Sequence, residues 1–156
     1  VVNTDAEGRL ILADAVAYGA KKEKVTKIVD IATLTGAVVR ALGFGTAGVL
    51  ASDDEMWNLL ERAAECSGEW FWRLPITREY EKRIESDIAD VKNSGGAECG
   101  AITAGLFIRL FTEQIPWLHL DIAGTAWVEH PIFSYQTKYA TGFGVTTLYE
   151  LAKKCI

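Results

Sequence analysis

The segment Asn3-Thr4-Asp5-Ala6-Glu7-Gly8-Arg9 sets two acids two positions apart, with a cation two positions further on. If Thr4 to Glu7 is extended, side chains alternate faces, so the Asp5 and Glu7 carboxylates project to one side while Ala6 points away. Two carboxylates so close repel unless a cation lies between them. One or two divalent metal ions would supply it. Gly8 allows a sharp turn, and Arg9 then stands at the mouth of the following helix, where its guanidinium and free helix amides make an anion site. The plainer reading of the same spacing is a strand-end acid pair in salt bridges with Arg9, because D-x-E is common.

Two further segments share the setting of a strand end leading into a turn: Ala32-Thr33-Leu34-Thr35-Gly36 and Asp121-Ile122-Ala123-Gly124-Thr125. In open α/β sheets ligands bind outside the carboxyl ends of the strands. The three strand ends could therefore line one cleft, with backbone groups around Leu34 and Gly36 free to hydrogen-bond a peptide-like substrate. Singly, each is equally a glycine-containing turn. His119 and His130 are the only histidines, which excludes a histidine-rich zinc site, and His119 alternates within Trp117-Leu118-His119-Leu120-Asp121 as a structural strand residue does. A metal would therefore have mainly oxygen ligands, suiting magnesium, manganese, or zinc in a carboxylate-rich site. No G-x-S-x-G elbow is present, Cys66 and Cys155 fall on helices without an obvious base, and Cys99 beside Gly100 is the one cysteine worth testing as a nucleophile. Gly43-Phe44-Gly45 and Gly142-Phe143-Gly144 read as turns, since neither completes a phosphate-binding G-x-G-x-x-G.

The chain that must position these residues has 156 residues, 49% of them apolar and 24% charged, which is enough for one core and excludes a disordered tail or a membrane bundle. A net charge of -5 argues against a general nucleic-acid or anionic-membrane surface. No apolar run approaches the ~20 residues of a membrane span, and no secretory signal opens the chain, so a cytoplasmic protein with three reduced cysteines is expected. The start at Val1, without Met, suggests a piece of something longer.

Helix-like and strand-like stretches alternate, the mark of an α/β fold: helix, sheet and helix in layers, with a mixed, mainly parallel sheet. Val1 to Asn3 is expected to be the tail end of a strand, with further strands at Val25 to Ala32, Thr46 to Ala51, Glu69 to Leu74 with Trp70 and Trp72 on one face, and Trp117 to Ile122. Helices are expected over Leu10 to Ala20, Ala37 to Leu42, Arg78 to Glu85, a buried Ala101 to Glu113, and Gly142 to Lys154. Another runs to Gly68 from a capping box in which Ser52 accepts from the N3 amide and Glu55 reaches back. Asp87 to Glu98 reads as a loop.

The run Asn3-Thr4-Asp5-Ala6-Glu7-Gly8-Arg9-Leu10 resembles the signature of the cytosol (leucyl) aminopeptidase family, the two-metal aminopeptidases. The resemblance continues in residues 30–37, Gly48-Val49, residues 118–124 and residues 140–145, covering essentially the whole chain. It implies that Asp5 and Glu7 are metal ligands and that Arg9 holds a bicarbonate-like anion acting as general base. It also implies that Thr33, Leu34 and Gly36 contact substrate, with Ala123 and Ala126 near the pocket for the N-terminal side chain. The substrates would be peptides with a free N-terminus, from which leucine and other residues are released. Two metal ions bridged by a water would lower its pKa and clamp the tetrahedral intermediate. A lysine and two aspartates that complete the family's metal site, and a second lysine that polarises the carbonyl, lie upstream of the signature. Residues 1–156 would thus be the C-terminal part of a catalytic domain, an incomplete domain expected to be inactive alone. The family forms homohexamers, although a shortened piece could adopt another state. A non-enzymatic folding or interaction module with an incomplete metal site is the alternative, and a coincidental match in a small-molecule or nucleic-acid binder a third.

Overall fold

The computed structural model describes residues 1–131, 133–134 and 136–155, leaving out the side chain of Cys155, so the expectation of a reduced thiol there lies outside the described residues. Four strands form the sheet: β1 (Ile28–Ala32), β2 (Ala47–Ala51), β3 (Phe71–Arg73) and β4 (Trp117–Asp121), in the order β1-β4-β2-β3. β1 runs parallel to β4 and β3 parallel to β2, while β2 and β4 are antiparallel. The mixed, mainly parallel sheet is as the sequence implies.

Every residue of β2 and β4 is buried, as central strands covered on both faces require. Alternation sorts their side chains into two cores. Val49, Ala51, Leu118 and Leu120 face α3 (Asp54–Ser67) and α6 (Val145–Cys155), meeting Met56, Leu60, Ala63 and Leu151. Leu50 and Trp117 face the other way, onto Val16 of α1 (Gly8–Lys22) and Leu106 and Ile108 of α5 (Gly100–Arg109). The short helices α2 (Gly36–Leu42) and α4 (Arg78–Lys82) pack beside α5. On this second face Gly48 has no room for a side chain, since a Cβ would stand 2.7 Å from Val38 Cγ2. A separate hairpin of β5 (Trp127–Val128) and β6 (Tyr139–Ala140) has no clear periodic signal in the sequence.

Several boundaries differ from expectation, each for a local reason. Val1 to Asn3 is not a strand, and β1 starts at Ile28 rather than Val25, the chain first turning at Lys24 with a positive φ of 52°. The N-cap of α3 is Asp53, which accepts from the Met56 amide at 2.8 Å, because the Ser52 hydroxyl already accepts from the Trp117 amide of β4 at 2.8 Å. α5 ends at Arg109, and Glu113 and Gln114 turn the chain at φ of 51° and 62°, leaving Leu110 exposed rather than buried. α6 starts at Val145 because Gly142 and Gly144 sit at φ of 71° and 91°. Trp70 and Trp72 do share an outcome: both are mostly exposed. Among the described residues no helix is long and apolar enough to cross a membrane.

Candidate active site

The Asp5–Glu7 segment is not extended. Thr4–Ala6 forms a 3-10 turn whose N-cap is Asn3, its side chain accepting from the Asp5 amide at 2.9 Å, and Glu7 (φ -75°, ψ -35°) leads directly into α1 at Gly8. Strand alternation therefore does not set the two carboxylates on one side, contrary to the extended segment that their spacing suggests. Both acids are nonetheless exposed, while Ala6 between them is buried. Gly8 opens the helix rather than making a separate turn, and Arg9, its second residue, is buried.

A residue that sequence reasoning passed over holds this segment. Asn93, in the 87–98 loop and 2% exposed, accepts with Oδ1 from the amides of Val2 (2.8 Å) and Asn3 (3.3 Å). Its Nδ2 donates to the carbonyls of Asn3 (2.7 Å) and Ala6 (3.3 Å). Its backbone carbonyl accepts from Arg9 Nη1 at 2.8 Å, so that guanidinium nitrogen goes to main chain instead of to Asp5 or Glu7. Arg9 Nε is buried with no partner among the described residues. Burial holds the Arg9 guanidinium below its ordinary range, and the negative charge of Asp121 works against that effect. A segment whose polar partners lie about ninety residues away has no local signature. The only available hint was Asn93 within a loop of Asp, Ser and Gly.

On the sheet side, Asp121 closes β4 and is wholly buried. Its Oδ1 accepts from the amides of Leu34 (3.1 Å), Thr35 (3.4 Å) and Ala123 (3.3 Å), and its Oδ2 from the Thr35 hydroxyl at 2.6 Å. The same hydroxyl accepts from the Val38 amide at 3.1 Å and so caps α2. Thr33 and Gly36 are exposed and Leu34 half-buried. Ala123 and Ala126 are half-buried in the following turn, where the amides of Thr125 and Ala126 both reach the Ile122 carbonyl. Gly124 fits there because a Cβ would stand 2.1 Å from the Gly43 carbonyl oxygen.

Asp121 thus joins the turns after β1 and β4 and acts electrostatically on Arg9, which Asn93 joins to the Asp5–Glu7 segment. A cleft of about 600 Å³ beside Thr125, lined by Phe44, Trp70 and Phe143 among others, includes none of the candidate residues. His119 is fully buried, its Nδ1 2.5 Å from Asp30 Oδ1 and its Nε2 without a partner among the described residues, and Asp30 Oδ2 also accepts from Trp117 Nε1 at 2.6 Å. Cys99 is the half-buried residue before α5, and Cys66 is a free, exposed thiol.

Across known proteins, the profile of the cytosol aminopeptidase family, catalytic domain, matches residues 1–149. The chain belongs to this family. Probable cytosol aminopeptidases of Clostridium perfringens and Chlamydia felis are each 51% identical over 154 residues, covering 99% and 97% of this chain and 31% of each relative. Among solved structures, a leucine aminopeptidase variant from tomato superposes with a TM-score of 0.90 at 45% identity, covering 99% of this chain and 29% of that one. The bottromycin maturation enzyme BotP, in complex with Mn, does so with a TM-score of 0.92 at 35% identity, covering 97% and 34%. The chain therefore spans about a third of the length of the family members it matches.

Proposed function

We propose that residues 1–156 form the C-terminal part of the catalytic domain of a metal-dependent aminopeptidase that releases leucine and other N-terminal residues from peptides. The observation that carries this reading is the buried Arg9, two positions after the exposed Glu7, whose Nε has no partner among the described residues and which feels the negative charge of Asp121. A buried donor without a protein partner calls for one from elsewhere. A bicarbonate-like anion would supply it, and Arg9 would hold that anion near the scissile bond.

Asp5 and Glu7 offer hard oxygen donors suited to zinc, manganese or magnesium. Among the described residues, however, no group of three or more His, Cys, Asp or Glu residues could hold a metal ion. These residues alone do not make a two-metal centre, so the two carboxylates would be contributors whose co-ligands lie outside the described residues. The remaining residues have roles that need no metal to state. Thr33, Leu34 and Gly36 would bind the peptide backbone, and the small Ala123 and Ala126 would leave room for the N-terminal side chain. The isolated chain is expected to be inactive, the whole enzyme to be a cytoplasmic homo-oligomer, hexameric as in the family, with no nucleic-acid or membrane partner.

In the full-length enzyme, Asp5→Asn and Glu7→Gln should each abolish metal-dependent release of an N-terminal residue. Near-normal turnover in both would remove the site assignment. Calorimetric titration of the 156-residue chain with manganese and zinc, alongside hydrolysis of an aminoacyl anilide, should show weak or no binding and no turnover. Two tight sites with turnover would show instead that the chain is self-sufficient.

A further inference from the structure

β3 ends the sheet: it pairs with β2 on one side, and among the described residues no strand pairs with the other. Such an edge leaves main-chain N–H and C=O groups open to a further extended chain. Residues of α3 and β3 together line a groove of about 500 Å³, with Trp57, Trp70 and Trp72 beside Glu61, Glu65 and Glu69. Phe71 lines it too. Consecutive side chains leave opposite faces of a strand, so a groove that touches both Phe71 and Trp72 reaches round the open edge of β3. Trp70 and Trp72 are 72% and 62% exposed, a large apolar area to leave in water at one place.

The charge along this groove is one-sided. Glu61 and Glu65 stand four positions apart on α3, so their like charges are neighbours on one helix face. Glu69 accepts from the Gly144 amide at 2.7 Å and from the Thr147 hydroxyl, neither of them a cation. Among the described residues no ion pair relieves the three: Arg73 goes to Asp54 at 2.6 Å, and Arg62, next to Glu61, points to another side of α3. We propose that the groove docks an extended segment of another polypeptide with lysine or arginine at alternate positions. Its main chain pairs with the edge of β3, and its cations lie over the indole rings, where the glutamates attract them. Alternate spacing follows because an extended chain turns every second side chain to the same face. A second copy of this chain is disfavoured there, since it brings a net charge of -5 and the same three glutamates. This docking surface goes beyond the aminopeptidase reading and does not depend on it.

The test is a fluorescence-anisotropy titration of the full-length enzyme with a labelled peptide of alternating lysine and alanine, N-acetylated so that it is no aminopeptidase substrate. It should bind in the micromolar range, and the same peptide with glutamate in place of lysine should not bind. Trp70→Ala removes no charge and lies at an exposed position; it should weaken binding about tenfold with the urea midpoint as in wild type. Glu61→Gln combined with Glu65→Gln should weaken it by a similar factor. Loss with the glutamine pair but not with Trp70→Ala would mean that only general electrostatics attracts the peptide. Spermidine competing as well as the peptide, charge for charge, would mean that no main chain is read. A changed sedimentation coefficient in Trp70→Ala would make the groove a contact between subunits. Each of these results overturns the proposal, as do variants that bind like wild type and a wild-type enzyme that binds neither peptide.

Discussion

Asp121 grips the Thr33–Gly36 loop from a strand buried along its whole length, while Asn93 grips the Asp5–Arg9 segment from a loop outside the sheet. The first anchor is a charged acceptor fixed in the sheet. The second is a neutral amide that accepts on one side and donates on the other, and its own position depends on the loop that carries it. The Thr33–Gly36 half of the candidate site thus inherits the rigidity of the packed sheet, whereas the carboxylate-bearing half is suspended from it. A site built this way has two separable failure modes: loss of the sheet, which takes everything, and loss of one side chain, which takes only the carboxylates.

The largest effect should come from the sheet. Leu120 is fully buried between β1 and β2, and Leu120→Ala should cost ~2–5 kcal/mol in urea unfolding, with amide exchange rising throughout. Next comes Asn93→Ala, which strips partners from the Val2, Asn3 and Ala6 backbone; it should cost ~1–3 kcal/mol and release the amides of residues 2–9 while leaving β4 protected. In the full-length enzyme the same variant should lower kcat/KM about a hundredfold through misplacement of the carboxylates. If instead Asn93→Ala loosens β4 as much as Leu120→Ala does, the two halves are one cooperative unit and the division is wrong.

The smallest effect lies away from both anchors. Burial pushes Asp53 upward, but the bonds from the Met56 amide and Ser52 hydroxyl, with help from the Glu55 amide and Arg73, outweigh it and hold the carboxyl below the usual aspartate range. A folded-state value below the unfolded one, about 3.9, means stabilisation that is present above that pH and lost as pH falls through the folded value. Asp53→Ala should therefore cost ~1 kcal/mol at pH 7, and the gap from wild type should narrow below pH ~4. A gap constant down to pH ~2 would show that the charge contributes nothing to the cap.

The sheet was legible because β2 and β4 are short apolar runs with clean alternation between two cores, and so was the turn after each strand that carries Thr33, Gly36 and Ala123. The details of the site were less so. The Asp5-Ala6-Glu7 spacing fits a strand or a tight turn equally well, and Asn3 as a cap decides for the turn. Ser52 looked like a cap because nothing local reveals that Trp117 claims its hydroxyl. Asn93 and the donors gathered by Asp121 lie 84 or more residues from most of their partners, and periodicity carries no information over that distance.

The strand order β1-β4-β2-β3 also has a consequence for how the chain is made. During synthesis β1 and β2 emerge first but have no strand between them until residues 117–121 arrive. Until then each exposes an unpaired edge, the kind of surface that recruits chaperones or other copies of the chain. β4 then enters the gap, pairs on both sides and delivers Asp121 to the turn that follows β1. The Asp121-held loop and the sheet are therefore completed in a single event, so a chain arrested before that strand has neither.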